Sequence, residues 1–291
     1  MERIKADDLY AYRFLSEVAV APDGAHAAFV SRRARDDGKG YYACIHLLDT
    51  TTGAVRPLTG NGDEAAFRWL DSNTLIFPSC RTGDQPGKTA FYRLDIRGSE
   101  AERAFTIPLS VKQFHPLPDG RWFVLTRRPM TPPEDLPADQ PQPGRDYTVF
   151  DELPFWADGL GMINGTRMSG WIFDPADGSV PQIPPPTYDM EGAAVSPEGS
   201  RILYWGVSFE GIRPDYRQLM LYDLATGQTR SLVPDGKYRI TQVGWWGTDI
   251  WFEGGDPHTS VSRSPKLYLL NPATGDCRTF CAPDGFLGTS A

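Results

Sequence analysis

The residues best suited to chemistry lie in one stretch, DELPFWADGLGMING, at positions 151–165. Two adjacent acids, Asp151 and Glu152, precede an aromatic pair, Phe155 and Trp156. Two carboxylates form the acid–base pair of a glycosidase, but neighbours on a strand point to opposite faces. Adjacency alone therefore does not bring the two acids together. The plain alternative is a solvated pair on an exposed segment.

Other catalytic patterns fail on spacing. Gly159 and Gly161 begin a GxGxxG-like run, but Gly165 comes one residue too late and no strand-to-helix context surrounds it. A nucleophile elbow needs Gly-x-Ser-x-Gly, whereas Ser208 is followed two residues later by Glu210. We therefore expect no catalytic residues in this chain and no dinucleotide cofactor.

The four histidines show no metal-binding spacing such as HExxH, so no metal site is expected. They are His26, His46, His115 and His258. The formal net charge of −8 gives no positive surface for nucleic acid, and no nucleic-acid partner is expected.

No apolar stretch suits a signal peptide or a membrane span, so we expect a cytoplasmic protein without a membrane partner. The four cysteines have no CxxC spacing and are expected to be reduced. They are Cys44, Cys80, Cys277 and Cys281.

The elements that position these residues form a repeat. Each copy has four short apolar runs, with a Pro-acid-Gly turn after the first run in several copies and an acid or Asn closing the third. The closing residues are separated by 46, 79, 49 and 48 positions. They are Asp49, Asp95, Asp174, Asp223 and Asn271. Four short strands repeating at just under 50 residues are typical of β-propeller blades.

The repeat has a physical basis. A four-stranded blade has two apolar faces and cannot bury both alone, so blades stack. Pro-Asp-Gly supplies the backbone angles of a hairpin turn, and the closing Asp accepts N–H groups in the turn that follows it. The predicted fold is an all-β propeller with about five four-stranded blades, or part of a larger propeller.

We predict an N-terminal extension over 1–16, with a helical turn within 5–14 capped by Asp7 or Asp8, and a propeller domain over 17–291. The third repeat carries an insertion over 129–165, which begins with a proline-rich acidic loop. The predicted blades are 17–65, 66–110, 111–188, 189–238 and 239–291.

Two segments carry a family resemblance. KADDLYAYRFLSEVAVAPDGAHAAFV and LPFWADGLGMINGTRMSGWIFDPADG resemble the N-terminal propeller of the prolyl oligopeptidase family, in the branch of acylaminoacyl peptidases and dipeptidyl aminopeptidases. In that branch the third blade carries an aromatic-x-x-Asp-Gly-x-Gly hairpin, which here is Phe155 to Gly161. The resemblance covers nearly the whole chain, and the order and position of its motifs carry it.

The resemblance implies a two-domain serine peptidase, in which the propeller caps an α/β-hydrolase domain and admits only short peptides. No hydrolase domain is present here, and five blades are fewer than the seven or eight of family propellers. We therefore expect the chain to be the N-terminal part of a longer enzyme that shares its peptide substrate with a C-terminal hydrolase domain. A natural stand-alone propeller is the less favoured reading.

The resemblance also implies a role for the inserted acids. A carboxylate on a propeller hairpin binds the free α-amine of a peptide, a charge-assisted contact of about 1.5–3 kcal/mol. We expect Glu152 to take this role first and Asp151 second, with Phe155 and Trp156 as apolar walls.

Other classes stay open. A stand-alone propeller acting as a protein-interaction scaffold is the main alternative to a substrate-selecting domain. A periplasmic propeller of the TolB type needs an export signal, and a WD-repeat protein needs Trp-Asp at fixed offsets, which only Trp69 and Asp71 approach. Unpaired blade edges predict self-association or closure by distortion.

Overall fold

The computed structural model describes residues 5–35, 37–81, 83–98, 100–130, 149–183, 185–258 and 265–282. Within these ranges the chain forms one short 3₁₀ helix, Ala6–Ala11, and twenty-one β-strands. Just before the helix, the N–H of Lys5 donates to Asp8 Oδ2 at 2.8 Å. The Asp8 side chain therefore caps the N-terminal end of the helix. Among the described residues, no helix is long and apolar enough to cross a bilayer.

The chain forms two compact units, Met1–Val111 and Lys112–Ala291. The first unit contains two antiparallel four-stranded sheets, each with its strands in chain order. Sheet 1 consists of β1 (Phe14–Val20), β2 (His26–Ala34), β3 (Tyr41–Asp49) and β4 (Val55–Pro57). Sheet 2 consists of β5 (Arg68–Trp69), β6 (Thr74–Pro78), β7 (Thr89–Asp95) and β8 (Glu102–Ile107). Strand β1 thus begins at Phe14, within the segment expected to be an extension.

The second unit contains three further sheets and a small hairpin. Sheet 3 is formed by β9 (Gln113–Pro116), β10 (Trp122–Pro129) and β13 (Thr166–Phe173), and the hairpin by β11 (Trp156–Ala157) and β12 (Gly161–Met162). Sheet 4 runs through β14 (Tyr188–Val195), β15 (Arg201–Ser208), β16 (Gln218–Asp223) and β17 (Thr229–Ser231). Sheet 5 runs through β18 (Arg239–Trp246), β19 (Asp249–Gly255), β20 (Lys266–Leu270) and β21 (Cys277–Cys281).

Sheet 3 lacks a regular fourth strand in the described chain. The segment 179–183 takes that place. It forms one bridge, between Trp171 and Gln182, and three main-chain hydrogen bonds with residues 170–174. Five antiparallel sheets that each follow chain order confirm the predicted fold class, an all-β propeller of four-stranded blades.

The turn after the third strand repeats as predicted. In every sheet the side-chain oxygen of the closing Asp or Asn accepts an N–H from the residue two positions later. These oxygens lie 2.8–3.1 Å from the donors. The hydrogen bond fixes the corner at which the chain turns into the fourth strand.

Apolar clusters join neighbouring sheets within each unit. Val30 and Ile45 of sheet 1 pack with Leu75 and Phe77 of sheet 2. Sheets 3 and 4 share a second cluster, and sheets 4 and 5 a third. Burial of such clusters removes apolar surface from water and supplies the main driving force for stacking.

Tryptophan side chains add a repeated polar contact between sheets. Trp69 Nε1 donates to the carbonyl of Ala19 at 3.1 Å, and Trp245 Nε1 donates to that of Ala194 at 3.2 Å. Trp246, the residue that follows Trp245, is exposed. The described cysteines are free thiols, and only Cys44 is buried.

Candidate functional site

The DELPFWADGLGMING stretch lies between β10 and β13, which pair directly with each other. Its β11–β12 hairpin is tied to sheet 4 through Leu153. The Leu153 N–H donates to the Gly211 carbonyl at 2.7 Å, and the Arg213 N–H donates to the Leu153 carbonyl at 2.8 Å. The hairpin is therefore anchored by main-chain bonds at its base.

Asn164 closes the stretch on itself. Its Oδ1 accepts the N–H of Asp151 at 3.2 Å and that of Glu152 at 3.1 Å. One side-chain amide thus fixes the backbone of both predicted acids beside the Asn164–Gly165 turn.

Glu152 is buried and forms a two-pronged ion pair with Arg167 of β13. The Oε1–Nη2 distance is 2.6 Å and the Oε2–Nη1 distance is 3.0 Å. The N–H of Gly165 also donates to Oε2 at 2.9 Å. Parallel charge-assisted bonds of this kind are among the strongest polar contacts in proteins.

Arg167 is saturated by its surroundings, since its side chain is only 1% exposed. Besides Glu152, it donates to the carbonyls of Thr166, Thr187 and Phe209 at 2.9–3.2 Å. Its guanidinium carbon lies 3.9 Å from the centroid of the Phe209 ring, a cation–π contact. All five N–H groups of the guanidinium therefore have acceptors.

This arrangement revises the expectation for Glu152. The hydrogen bonds from Arg167, together with the Gly165 N–H, lower the pKa of the Glu152 carboxyl. Its negative charge is balanced inside the protein, and a substrate amine would have to displace Arg167 to reach it. Glu152 joins Arg167 of β13 to the turn at Gly165.

Asp151, by contrast, is exposed, and its carboxylate makes no hydrogen bond or ion pair with the described residues. Phe155 and Trp156 are also exposed, at 38% and 54%. Phe155 stacks on Phe150 with ring centroids 4.5 Å apart. The structure thus brings Asp151, Phe155 and Trp156 to one exposed hairpin, whereas Glu152 points into its anchor.

The hairpin is unusually apolar for an exposed element. Seven large apolar residues on or beside it are at least 40% exposed, and an eighth, Phe155, is close to that value. The seven are Val149, Phe150, Leu153, Trp156, Leu160, Met162 and Ile212. Contiguous exposed apolar surface marks binding sites in soluble proteins.

A second polar cluster, not foreseen from the sequence, lies at the start of β14. Asp189 is buried; its Oδ1 accepts the N–H of Met168 at 2.7 Å and its Oδ2 lies 3.0 Å from Arg213 Nη2. The same Arg213 atom lies 2.9 Å from Glu191 Oε1, which also accepts from Arg217. Asp189 and Glu191 are two residues apart on a strand, a spacing that places both side chains on one face. This spacing is the feature of the sequence from which the cluster could have been predicted.

Arg213 connects the two clusters, because its main chain bonds Leu153 and its side chain bonds Asp189. The site is thus a rigid ion-pair base under an exposed apolar hairpin. Within the described ranges, no group of three His, Cys, Asp or Glu side chains is arranged to hold a metal ion.

Comparison with known proteins places this geometry in context. No protein-family model matches the chain. The chain is 26% identical over 211 residues to the uncharacterized peptidase YuxL of Bacillus subtilis (strain 168). The match covers 69% of this chain and 31% of that protein.

Solved structures share the fold at low identity. The Pyrococcus horikoshii acylaminoacyl peptidase superposes with a TM-score of 0.68 at 16% identity, over 95% of this chain and 41% of that one. The chain has a β-propeller fold that this peptidase shares. Puromycin hydrolase matches with a TM-score of 0.59 at 13% identity, over 95% of this chain and 39% of that one.

The fold is also shared outside peptidases. TolB from Acinetobacter baumannii matches with a TM-score of 0.54 at 14% identity, over 94% of this chain and 56% of that one. The chain spans well under half the length of YuxL and of the two hydrolytic enzymes. The activity of a whole protein is therefore a matter for proposal.

Proposed function

We propose that this chain is the propeller portion of a serine peptidase of the prolyl oligopeptidase family, and that its third-sheet hairpin contacts the peptide substrate. The observation that carries the proposal is the exposed apolar hairpin held on a buried Glu152–Arg167 base. The similarity to a curated peptidase over 69% of the chain supports it.

In this proposal the hairpin selects substrates and the chemistry takes place in a hydrolase domain outside this chain. Asp151 receives the α-ammonium of a short peptide, since its carboxylate is exposed and unpaired among the described residues. Phe155 and Trp156 contact the first side chains of the peptide. Glu152 acts through Arg167, by keeping the hairpin in place.

The test uses the complete peptidase that carries this propeller. Asp151→Asn is expected to lower kcat/KM roughly tenfold for dipeptide substrates with a free amine, because one charge-assisted bond is lost. Substrates with an acetylated amine should be cleaved at an unchanged rate. The readout is the ratio of the two kcat/KM values.

The matched control is Asp158→Asn, which removes the same charge from the exposed turn of the same hairpin. It should leave the ratio unchanged. Equal losses of kcat/KM on free-amine and acetylated substrates would show that Asp151 does not bind the amine. The same conclusion would follow if Asp151→Asn and Asp158→Asn changed the ratio equally.

One observation favours a second function, a protein-interaction scaffold. Exposed apolar residues on the hairpin also suit a protein partner. A scaffold predicts that the natural protein binds a partner through Trp156 and hydrolyses no peptide. A cytoplasmic location stays a prediction in either case, and cell fractionation checks it.

A further inference from the structure

Sheet 2 contains a cavity that the proposed function does not use. It lies between the two outer strands, β7 and β8, and the loop that connects β6 to β7. Its volume is about 250 Å³. The lining includes Asp84 and Lys88 of the loop and Arg103 and Thr106 of β8, and every lining residue belongs to the first compact unit. The cavity therefore combines three charged side chains with a hydroxyl group.

Asp84 is the acid of this cavity, and its charge is balanced inside the protein. Its Oδ2 accepts the N–H of Arg81 at 2.7 Å and the hydroxyl of Tyr92 at 3.2 Å. Its Oδ1 forms an ion pair with Arg103. The hydrogen bonds from Arg81 and Tyr92, together with the Arg103 charge, lower the pKa of the Asp84 carboxyl. Asp84 is thus ionised at neutral pH and pairs with one cation, Arg103.

Tyr92 connects a second arginine to the same cavity. The guanidinium carbon of Arg81 lies 4.3 Å from the centroid of the Tyr92 ring, and that of Arg103 lies 5.7 Å from it. Arg103 Nη2 also lies 3.2 Å from the Tyr92 hydroxyl oxygen. A cation–π contact holds a guanidinium in place without occupying its N–H donors. One aromatic ring therefore holds both arginine side chains beside the cavity.

Two cations at this cavity have no partner. Among the described residues, the Arg81 guanidinium has no acceptor; its Nε is covered, whereas its two Nη groups reach solvent. Lys88 is exposed, and its ammonium group makes no hydrogen bond or ion pair within the described ranges. Because Arg103 is paired with Asp84, the charges of Arg81 and Lys88 are a local surplus. This surplus lies in a chain whose formal net charge is −8.

We propose that the cavity binds a phosphate dianion, either free phosphate or the phosphate group of a small monoester. The unpaired charges of Arg81 and Lys88 match a group that carries about −1.5 to −2 charges at pH 7. A guanidinium offers paired N–H donors that fit phosphate oxygens, and an ammonium group adds a point charge. The Thr106 hydroxyl on the cavity wall is a further donor. The volume of about 250 Å³ has room for the phosphate and a small substituent.

The first test is isothermal titration calorimetry of the 291-residue chain with small anions, at neutral pH and constant ionic strength. Inorganic phosphate and methyl phosphate are each expected to bind at one site, and their relative affinities distinguish free phosphate from a monoester as the ligand. Dimethyl phosphate and acetate carry a single charge and should bind at least roughly tenfold more weakly. Equal binding of all four anions, or no binding of either dianion, would overturn the proposal.

The second test removes the two unpaired cations one at a time. Arg81→Gln and Lys88→Gln should each raise the Kd for phosphate roughly tenfold, as for the loss of a charge-assisted hydrogen bond. Arg93→Gln is the matched control, because Arg93 is exposed on β7 directly after Tyr92 and its side chain points to the opposite face. It should change the Kd by less than about twofold.

Equal weakening by all three variants would show that phosphate responds to general surface charge, and it would overturn the proposal. Thermal unfolding of each variant checks that the fold is retained. Lys88 is exposed, so Lys88→Gln keeps the test decisive even where Arg81→Gln unfolds the loop.

The amide NMR signals of two loop glycines locate the bound anion. Gly83 lines the cavity and Gly87 directly precedes Lys88. Both signals should shift as phosphate is added, whereas the signal of Gly98, beyond the far end of β7, should not. Unshifted signals of Gly83 and Gly87 at saturating phosphate would place the anion elsewhere and would overturn the proposal.

Discussion

Arg167 is the residue on which the hairpin depends. Its five guanidinium N–H groups meet Glu152 and three main-chain carbonyls. Two buried charges repay their desolvation only when geometry and hydrogen bonding are nearly complete, and both conditions hold here. Lysine, with three donors on a point charge, cannot reproduce the planar contact.

Removal of one partner should therefore be costly. Glu152→Gln leaves the buried Arg167 charge unbalanced, and we expect the free energy of unfolding to fall by about 3–5 kcal/mol. Glu198→Gln is the control, because Glu198 pairs with Arg201 at the surface and its loss costs about 0–1 kcal/mol. Urea unfolding followed by tryptophan fluorescence measures both. Equal losses of unfolding free energy would show that the buried Glu152–Arg167 pair stabilises the fold no more than the surface pair does.

The same pair predicts a pH dependence. Arg167 holds the pKa of Glu152 below its ordinary value, so the unfolded chain takes up the proton first as pH falls. The stabilisation is complete above the unfolded pKa of about 4.3 and is lost as pH falls through the folded pKa. The stability difference between the parent chain and Glu152→Gln should be constant from neutral pH to about pH 5 and narrow below pH 4.3. A difference that widens in acid would contradict the assignment.

Single residues differ in how far the sequence predicts them. The closing acids were predictable because each acts on its own turn, two residues away. The Glu152–Arg167 pair was not, since its members are fifteen residues apart and meet only after the hairpin folds. Glu152 was ranked before Asp151 as the amine-binding acid from the sequence, and the local backbone geometry leaves Asp151 exposed and Glu152 buried.

The β14–β15 pair is the element that orders the second polar cluster. β14 has a bulge between Met190 and Gly192 where it pairs with β15. Asp189 and Glu191, beside this bulge, both contact Arg213. Gly206 faces this bulge, and a Cβ atom there would lie 2.0 Å from the Asp189 carbonyl oxygen. The bulge therefore requires glycine on the facing strand.

Gly206→Ala should lower the free energy of unfolding by about 3 kcal/mol, because the main chain of β14 must move. The control is Gly178→Ala, where the left-handed backbone costs about 1–2 kcal/mol and no atom lies within 4 Å of the added carbon. Urea unfolding compares the two variants. A smaller loss of unfolding free energy for Gly206→Ala than for Gly178→Ala would contradict this, because it would show that β14 and β15 move apart at little cost.

At the level of elements, the strands and their order followed from the repeat, because each blade must bury its faces against a neighbour. The repeat did not predict that sheet 3 would lack a regular fourth strand among the described residues. The segment 179–183 contains Pro181, which has no N–H for a ladder; among the described residues it forms one bridge and, beyond the two hydrogen bonds of that bridge, one further main-chain hydrogen bond, from Asp174 N–H to the Ser179 carbonyl. The hairpin itself was placed by the family resemblance rather than by periodicity.

For the whole molecule, similarity at 16% identity or less to the solved structures establishes the fold, which peptidases and TolB share. The match to YuxL favours a peptidase, and our proposal assigns the exposed hairpin to substrate contact in such a peptidase. The chain spans 31% of YuxL, and our proposal places the chemistry in residues outside it.

The central claim is tested most directly on the natural protein that contains this propeller. A fluorophosphonate probe for active-site serines is applied while hydrolysis of aminoacyl and dipeptidyl nitroanilides is followed. We predict that one serine outside these 291 residues is labelled and that labelling abolishes hydrolysis. A natural protein that neither reacts with the probe nor cleaves any of these substrates would contradict the account.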